Sequence, residues 1–373
     1  MINNTIGGGT MINVLDYGAR GDGMTDDTAA IQAAIDATAE RGGGKIFFPY
    51  TPRGYRIAAP GKELYDGCPL RAQLVIPPVM GNNIQLEGEM PCKLLNAYIV
   101  RPQDEATRAA DFSPTVFGLE NHNTFIFSDW EAPEEHDPEA RPWSILAAPQ
   151  GTSCKGKFST SMFSVTNLEF RVAMNREKMY PTQTAVNLQN VSRVNITDSQ
   201  FCLNEEVGDT ILGKELQPNP CHCAGLILPG DQNDDVVLRN VAVQGFRYGL
   251  VAGEHVVCDY LYVHNCEEGI TFHDCSHLSV FQHIVAQRNT VILSTTRGIL
   301  FGMEKGPCRV LVQSLNFESD QNLLPAVNRM KYGVYDEDGR LSGSLMWHKP
   351  WGKQEFPAVC GEHFRIAAFK DEF

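Results

Sequence analysis

Apolar and polar residues alternate with a period of two in short runs that recur through the middle of the chain. Examples are Ser164-Val-Thr-Asn-Leu-Glu-Phe170, Arg193-Val-Asn-Ile-Thr197, Leu238-Arg-Asn-Val-Ala-Val243, Cys258-Asp-Tyr-Leu-Tyr-Val263, Val280-Phe-Gln-His-Ile-Val285 and Leu311-Val-Gln-Ser-Leu-Asn-Phe317. Such alternation predicts strands with one face buried. These runs align on Leu168, Ile196, Val241, Leu261, Ile284 and Leu315. A second family of short runs, mostly led by glycine, lies between them and places Leu226, Leu250, Ile270, Val291 and Ile299 in one register. Gly249 and Gly269 are 20 residues apart. Strands repeating every 20 to 30 residues, with no long helical pattern between them, predict an all-β solenoid, the parallel β-helix. An antiparallel domain built of hairpins would require more Asn-Gly or Asp-Gly turns than this stretch contains.

One segment has helical periodicity. Thr25 to Ala39 places Ala30, Ile31, Ala34 and Ile35 on one face, with Thr25 or Asp27 as caps and Gly42-Gly-Gly44 as the stop. This helix is expected to cap one end of the solenoid core. The whole chain, 1–373, reads as a single β-helix domain: a cap motif at 10–60, about six to eight rungs over 80–320 interrupted by an insert at about 100–160, and a C-terminal hairpin and tail over 321–373. The acidic, proline-marked Trp130-Glu-Ala-Pro-Glu-Glu-His-Asp-Pro138 belongs to the insert, and Tyr335-Asp-Glu-Asp-Gly339 reads as the hairpin turn.

Composition narrows the function. With 45 acidic against 31 basic residues the net charge is −14, which argues against a partner rich in phosphate, so neither nucleic acid nor a membrane surface is expected. No apolar run reaches the roughly 18 residues of a membrane span, and the opening residues lack a signal-peptide pattern. That pattern fits a cytoplasmic chain, or a secreted or periplasmic one whose leader has been removed. The 11 cysteines are an odd number lying mostly in apolar stretches, as buried thiols do. No nucleophile elbow, phosphate loop or dinucleotide fingerprint stands in a supporting context.

The stretch from Ile12 to Asp36, which contains Gly21-Asp-Gly-Met-Thr-Asp-Asp27, together with Gly42-Gly-Gly-Lys-Ile-Phe-Phe-Pro49 and Tyr55-Arg-Ile57, closely resembles the opening of the pectate-lyase superfamily. That superfamily includes polygalacturonase-like glycoside hydrolases, polysaccharide lyases and phage tailspikes. The resemblance implies a right-handed parallel β-helix and assigns Asp22, Asp26 and Asp27 a structural part. In the hydrolases of this superfamily the catalytic acids stand just before the glycine-led strand of successive rungs. The corresponding leaders here are His222-Cys223-Ala224-Gly225, Arg247-Tyr248-Gly249, Glu267-Glu268-Gly269 and Arg288-Asn289-Thr290. Only Glu267-Glu268 reproduces an acidic pair, and the family's Asn-Thr-Asp and Gly-His-Gly rungs are missing.

A glycoside hydrolase with Glu267 or Glu268 as a principal acid is therefore the first expectation, its second acid drawn from the excursion carrying Glu205, Glu206 and Asp209. Arg247 and Arg288 are expected to bind a substrate carboxylate, Tyr248 to stack on a sugar or give up a proton, and His222 or His273 to assist. His273 is placed on the exposed face beside the acidic pair. A polysaccharide lyase and a non-catalytic glycan-binding β-helix are the alternatives. A polysaccharide or oligosaccharide is the expected partner, and the chain acts as a monomer or homotrimer. No cofactor is expected, except Ca²⁺ for a lyase. The clusters Cys221-His-Cys223 and His273-Asp-Cys-Ser-His277 lack zinc-knuckle spacing, so no metal site is assigned to them.

Overall fold

A computed structural model of the chain describes residues 11–63, 70–77, 83–90, 123–148, 160–175, 180–203, 219–229, 235–318, 330–348 and 356–369. Two long parallel sheets dominate it. In the first, Met11–Asn13, Gly44–Phe48, Asn83–Gly88, Thr160–Thr166, Val191–Leu203, Asp235–Gln244, Val256–His264, Cys275–Gln287, Cys308–Glu318, Leu341–His348 and Phe364–Phe369 succeed one another in chain order. In the second, Arg71–Val75, Trp143–Ala147, Thr184–Asn187, Ala224–Ile227, Tyr248–Ala252, Glu268–Phe272, Val291–Thr295, Tyr332–Tyr335 and Ala358–Val359 do the same. Chain order in both ladders makes each circuit one rung of a right-handed parallel β-helix. Inward residues of successive rungs stack on their like, as in Val186, Leu226, Leu250, Ile270, Leu293 and Val334 of the second sheet. Among the described residues no helix is long and apolar enough to cross a membrane.

Successive rungs of the first sheet turn a corner at an asparagine or aspartate. Asn167, Asp198 and Asn240 take the left-handed conformation there, with φ of 56°, 47° and 51°. Asn and Asp tolerate that conformation because their short polar side chains bond locally. The corners stack: Asn240 Nδ2 donates to Asp198 Oδ1 at 2.6 Å. In later rungs the same column carries Tyr260 and His283, ring centroids 5.5 Å apart, and His283 Nδ1 lies 3.0 Å from Ser314 Oγ. The corner also corrects the register read from sequence. Val241, Leu261, Ile284 and Leu315 do share a column, but Ile196 precedes its corner and stacks on Leu238, while Ser199 takes the place opposite Val241. Val291 likewise faces Glu268, Leu293 takes the core position above Ile270, and Ile299 lies outside both sheets, 40% exposed.

The solenoid extends beyond the expected limits at both ends. Residues 11–48 already supply rung strands. Tyr335 to Gly339 joins strands of different sheets, each paired in parallel, so this segment is not a hairpin turn and rungs continue to Phe369. Within the expected insert, Phe125–Ser128 and Trp143–Ala147 are rung strands, and between them residues 129–142 leave the coil.

The helix spans Thr28–Glu40 and buries Ile31, Ala34 and Ile35 against the first rungs. Gln32 bonds both the N–H and the C=O of Val75, at 2.8 and 2.9 Å. The acids before it hold the approach. Asp22 accepts from Met24 N and Thr25 N, which pull its carboxyl down to about 2. Asp26 accepts from Thr28 N and Ala58 N, and the buried Asp27 from Arg20 N and Gly21 N rather than from the helix. Thr25 directs its hydroxyl to Asp22 and caps nothing. All three aspartates are thus consumed by backbone turns.

Beside the corner column Glu169 is fully buried on the outer face of the sheet. It meets Arg171 at 2.8 and 3.1 Å, with Asn123, Gln200 and Cys202 completing its shell. Burial alone would raise this carboxyl, but the Arg171 charge and the donors together hold it below its ordinary value. Removing Arg171 by Arg171→Met leaves a buried charge alone and should cost about 3–5 kcal/mol in urea unfolding at neutral pH. Because the folded-state pKa is the lower one, the stabilisation is present above the unfolded carboxylate value near ~4.3 and is lost as pH falls through the folded value. The gap between wild type and variant should therefore narrow steadily below about pH 4.

Candidate active site

The turns that lead into the second sheet bring most of the sequence-selected side chains to its outer face. Tyr248 and Glu268 are register partners on adjacent rungs, as therefore are Arg247 and Glu267 one residue earlier. Tyr248 points away from the core, its ring edge-on to Phe301 at 5.7 Å. Its hydroxyl lies 3.2 Å from His222 Nδ1. Both side chains are nearly covered, at 6% and 9% exposure. Burial and the nearby Arg247 charge push His222 down to about 4, so its imidazole is neutral. Burial and the Glu268 charge raise Tyr248, so its phenol keeps its proton. A neutral imidazole bonded to a protonated phenol is a proton-transfer pair.

Arg247 lies over the Tyr248 ring, 5.5 Å from its centroid, and donates to the carbonyls of Asn219 and Pro220 at 3.2 and 3.0 Å. Its Nε is 3.8 Å from Glu267 Oε2. Glu267 also accepts the Asn219 N–H. Glu268 turns elsewhere, accepting from Thr271 Oγ1 at 3.2 Å and from Ser294 Oγ. The two glutamates, as successive residues with separate partners, do not converge on one point. They also do not assemble the multiple oxygen ligands that Ca²⁺ requires, so the described residues beside Tyr248 do not fit that ion.

Two sequence assignments change. Arg288 is a left-handed corner residue, φ 54°, opposite Asn265, and Thr290 stands in the Arg247–Glu267 column instead. The turns before Tyr248, Glu268 and Val291 have the same length, so Arg288 falls level with Gly245 and Asn265, all three with positive φ, and not with Arg247. His273 is not exposed but 2% accessible, enclosed where its carbonyl meets the Gly306 N–H and Arg340, and burial pushes it down to about 4. The excursion of residues 297–306 folds back over the sheet and covers it. Glu205, Glu206 and Asp209 lie outside the described residues.

Residues that sequence reasoning did not select close the other side of the pair. The segment 129–142 runs across the sheet, where Glu135 O accepts the His222 N–H at 2.8 Å and Pro138 O the Phe301 N–H at 2.7 Å. Arg71 anchors Glu135 at 2.9 Å, and Tyr180 donates to Glu134 at 3.2 Å. The signal was present in the acidic, proline-marked composition of Trp130 to Pro138, but nothing in it says where the segment lands. A separate cluster joins Glu254, His255 and His277: Glu254 Oε2 lies 2.7 Å from His277 Nδ1 and accepts from Ser276 Oγ at 2.8 Å, while the imidazoles stack at 4.6 Å.

Comparison with known proteins bears out the N-terminal resemblance. Residues 11–60 match the family described as rhamnogalacturonase A/epimerase, pectate lyase-like. The chain is 55% identical over 56 residues to mannuronan C5-epimerase AlgE5 of Azotobacter vinelandii, covering 15% of this chain and 5% of that protein. It is 54% identical over 55 residues to alginate lyase 7 of the same organism, covering 15% and 6%. The chain thus matches about a twentieth of the length of these relatives. Among solved structures, Geobacillus virus E2 ORF18 aligns over 96% of this chain and 61% of its own, with a TM-score of 0.46 and 12% identity.

Proposed function

With residues 11–60 a pectate-lyase-like segment of the rhamnogalacturonase A/epimerase type on a right-handed parallel β-helix, we propose a carbohydrate-active enzyme that moves a proton at a uronate sugar carbon. The observation that carries this reading is the Tyr248–His222 contact of 3.2 Å beneath the Arg247 guanidinium. A carbon beside a carboxylate becomes acidic when the enolate charge is neutralised, and arginine does this with paired donors. The neutral His222–Tyr248 pair then takes the C5 proton. If water then protonates the other face and the pair yields its proton to solvent, the sugar is epimerised. If instead the C4–O bond breaks and the phenol protonates the leaving oxygen, an unsaturated uronate and a new chain end form. The relatives named as an epimerase and a lyase support the same step, through the N-terminal segment alone.

The carboxylate-pair hydrolase gains less support, because Glu267 and Glu268 are directed to different partners. The test incubates the chain with polymannuronate, polyguluronate and polygalacturonate in D₂O. Deuterium at C5 with inverted configuration reports epimerisation, and ultraviolet absorbance of unsaturated uronate reports elimination. Saturated reducing ends alone would replace this reading with hydrolysis, and no product would favour a glycan-binding β-helix.

A further inference from the structure

The excursion 129–142 and the turn 219–222 are far apart in sequence and tightly joined in space. His222 N–H donates to Glu135 O, Arg71 holds the Glu135 side chain, and Phe301 N–H holds Pro138 O. On the turn, Asn219 Oδ1 accepts the Cys221 N–H at 2.9 Å. These contacts bring the Glu134 carboxylate, a His136 ring nitrogen and the Cys221 sulfur within 4.8 Å of one another. His136 Nε2 is 3.2 Å from Glu134 Oε2, and its Nδ1 is 3.4 Å from Pro220 O. A carbonyl only accepts, so the Nδ1 contact takes a ring proton there, which leaves Nε2, the nitrogen facing the carboxylate, as the atom that would ligate a metal. Tyr180 donates to the other oxygen of Glu134 at 3.2 Å. An imidazole fixed by a carbonyl and a carboxylate fixed by a hydroxyl are the outer-shell supports that metal ligands ordinarily have.

We propose that Glu134, His136 and Cys221 bind a divalent transition-metal ion of the Zn²⁺ type. Tetrahedral bonds of about 2.0–2.3 Å put neighbouring ligand atoms about 3.3–3.8 Å apart, a separation this cluster reaches with small side-chain rotations. Thiolate with imidazole selects borderline-soft ions and rejects Ca²⁺ and Mg²⁺, which require oxygen. On binding, the Cys221 thiol releases its proton to solvent and the sulfur donates an electron pair, with no change of oxidation state. Three protein ligands leave a fourth position for water or a ligand oxygen. The ion would bind the excursion to the turn that carries His222. The inference does not depend on the proton-transfer reading.

The full chain, stripped with a chelator and dialysed, is titrated with Co²⁺. One equivalent should produce tetrahedral visible bands and a thiolate-to-cobalt charge-transfer band, both displaced by Zn²⁺ and unaffected by Ca²⁺. Cys221→Ser should abolish the charge-transfer band, and Tyr180→Phe should keep it with affinity weakened about 10–100-fold. Zn²⁺ should raise the melting temperature of wild type but not of Cys221→Ser. Should Cys221→Ser fail to fold, His136→Ala takes its place, since the His136 side chain is 57% exposed, and it should weaken Co²⁺ binding at least 10-fold. Octahedral Co²⁺ spectra without a thiolate band, or unchanged binding in His136→Ala, would overturn the proposal.

Discussion

Tyr248→Phe should lower turnover on the responsive polyuronate by about 10²–10⁴, the usual contribution of a positioned acid or base. The substitution deletes one hydroxyl and leaves the ring packed on Phe301, so circular dichroism and the unfolding midpoint should change little. His222→Gln should fall in the same range, and the double variant should lose little more than either single one, because the two groups act as a unit. The reading discriminates sharply. If Tyr248→Phe stays within about twofold of wild type while Glu267→Gln or Glu268→Gln collapses, the proton-transfer pair is wrong and carboxylate chemistry replaces it. Arg247→Lys should impair binding of the uronate as well, since an ammonium cannot reproduce the guanidinium fork over Tyr248.

Ile270→Asp should prevent stable folding. Ile270 is 0% exposed and stacks between Leu250 and Leu293, so an aspartate there buries an unpaired charge between two apolar rungs. The expected loss exceeds about 4–5 kcal/mol, enough to consume much of the stability of an ordinary domain. Ile270→Val removes one methylene and should cost only about 0.5–1.5 kcal/mol. Urea unfolding followed by near-ultraviolet circular dichroism measures both, and a cooperatively folded Ile270→Asp protein would show that the inward column has been misplaced. Neighbouring rungs should unfold together with it, because each buries its face only against the next.

Local alternation along the chain specifies the architecture, because each strand writes its own inward face. Leu226, Leu250 and Ile270 alternate with outward residues over four or five positions, and the packing partner of each is simply the same position one rung away. The cap helix was legible for the same local reason, whereas the structural role of Asp22, Asp26 and Asp27 was implied by the pectate-lyase resemblance, and their carboxylates do bond backbone N–H groups. Tyr248 and His222 were legible as separate leaders of adjacent rungs. Their contact was not, since it depends on how the turn before Ala224 bends.

Everything outside the core depended on rung length and on segments that return from elsewhere. Tyr248 and Glu268 are 20 residues apart but Glu268 and Val291 are 23, which puts Thr290 rather than Arg288 beside Glu267, while Ile196 lies before its left-handed corner and Val241 after one. The fold-back of residues 297–306 buried His273, whose position in its own strand gave no sign of a cover. Cys221 illustrates the limit most plainly. Its sequence neighbour Cys223 faces the core and bonds Pro181 O, whereas Glu134 and His136 reach it from more than 80 residues away. No spacing rule registers such a group, because only the packing of 129–142 onto 219–222 brings its members within bonding range.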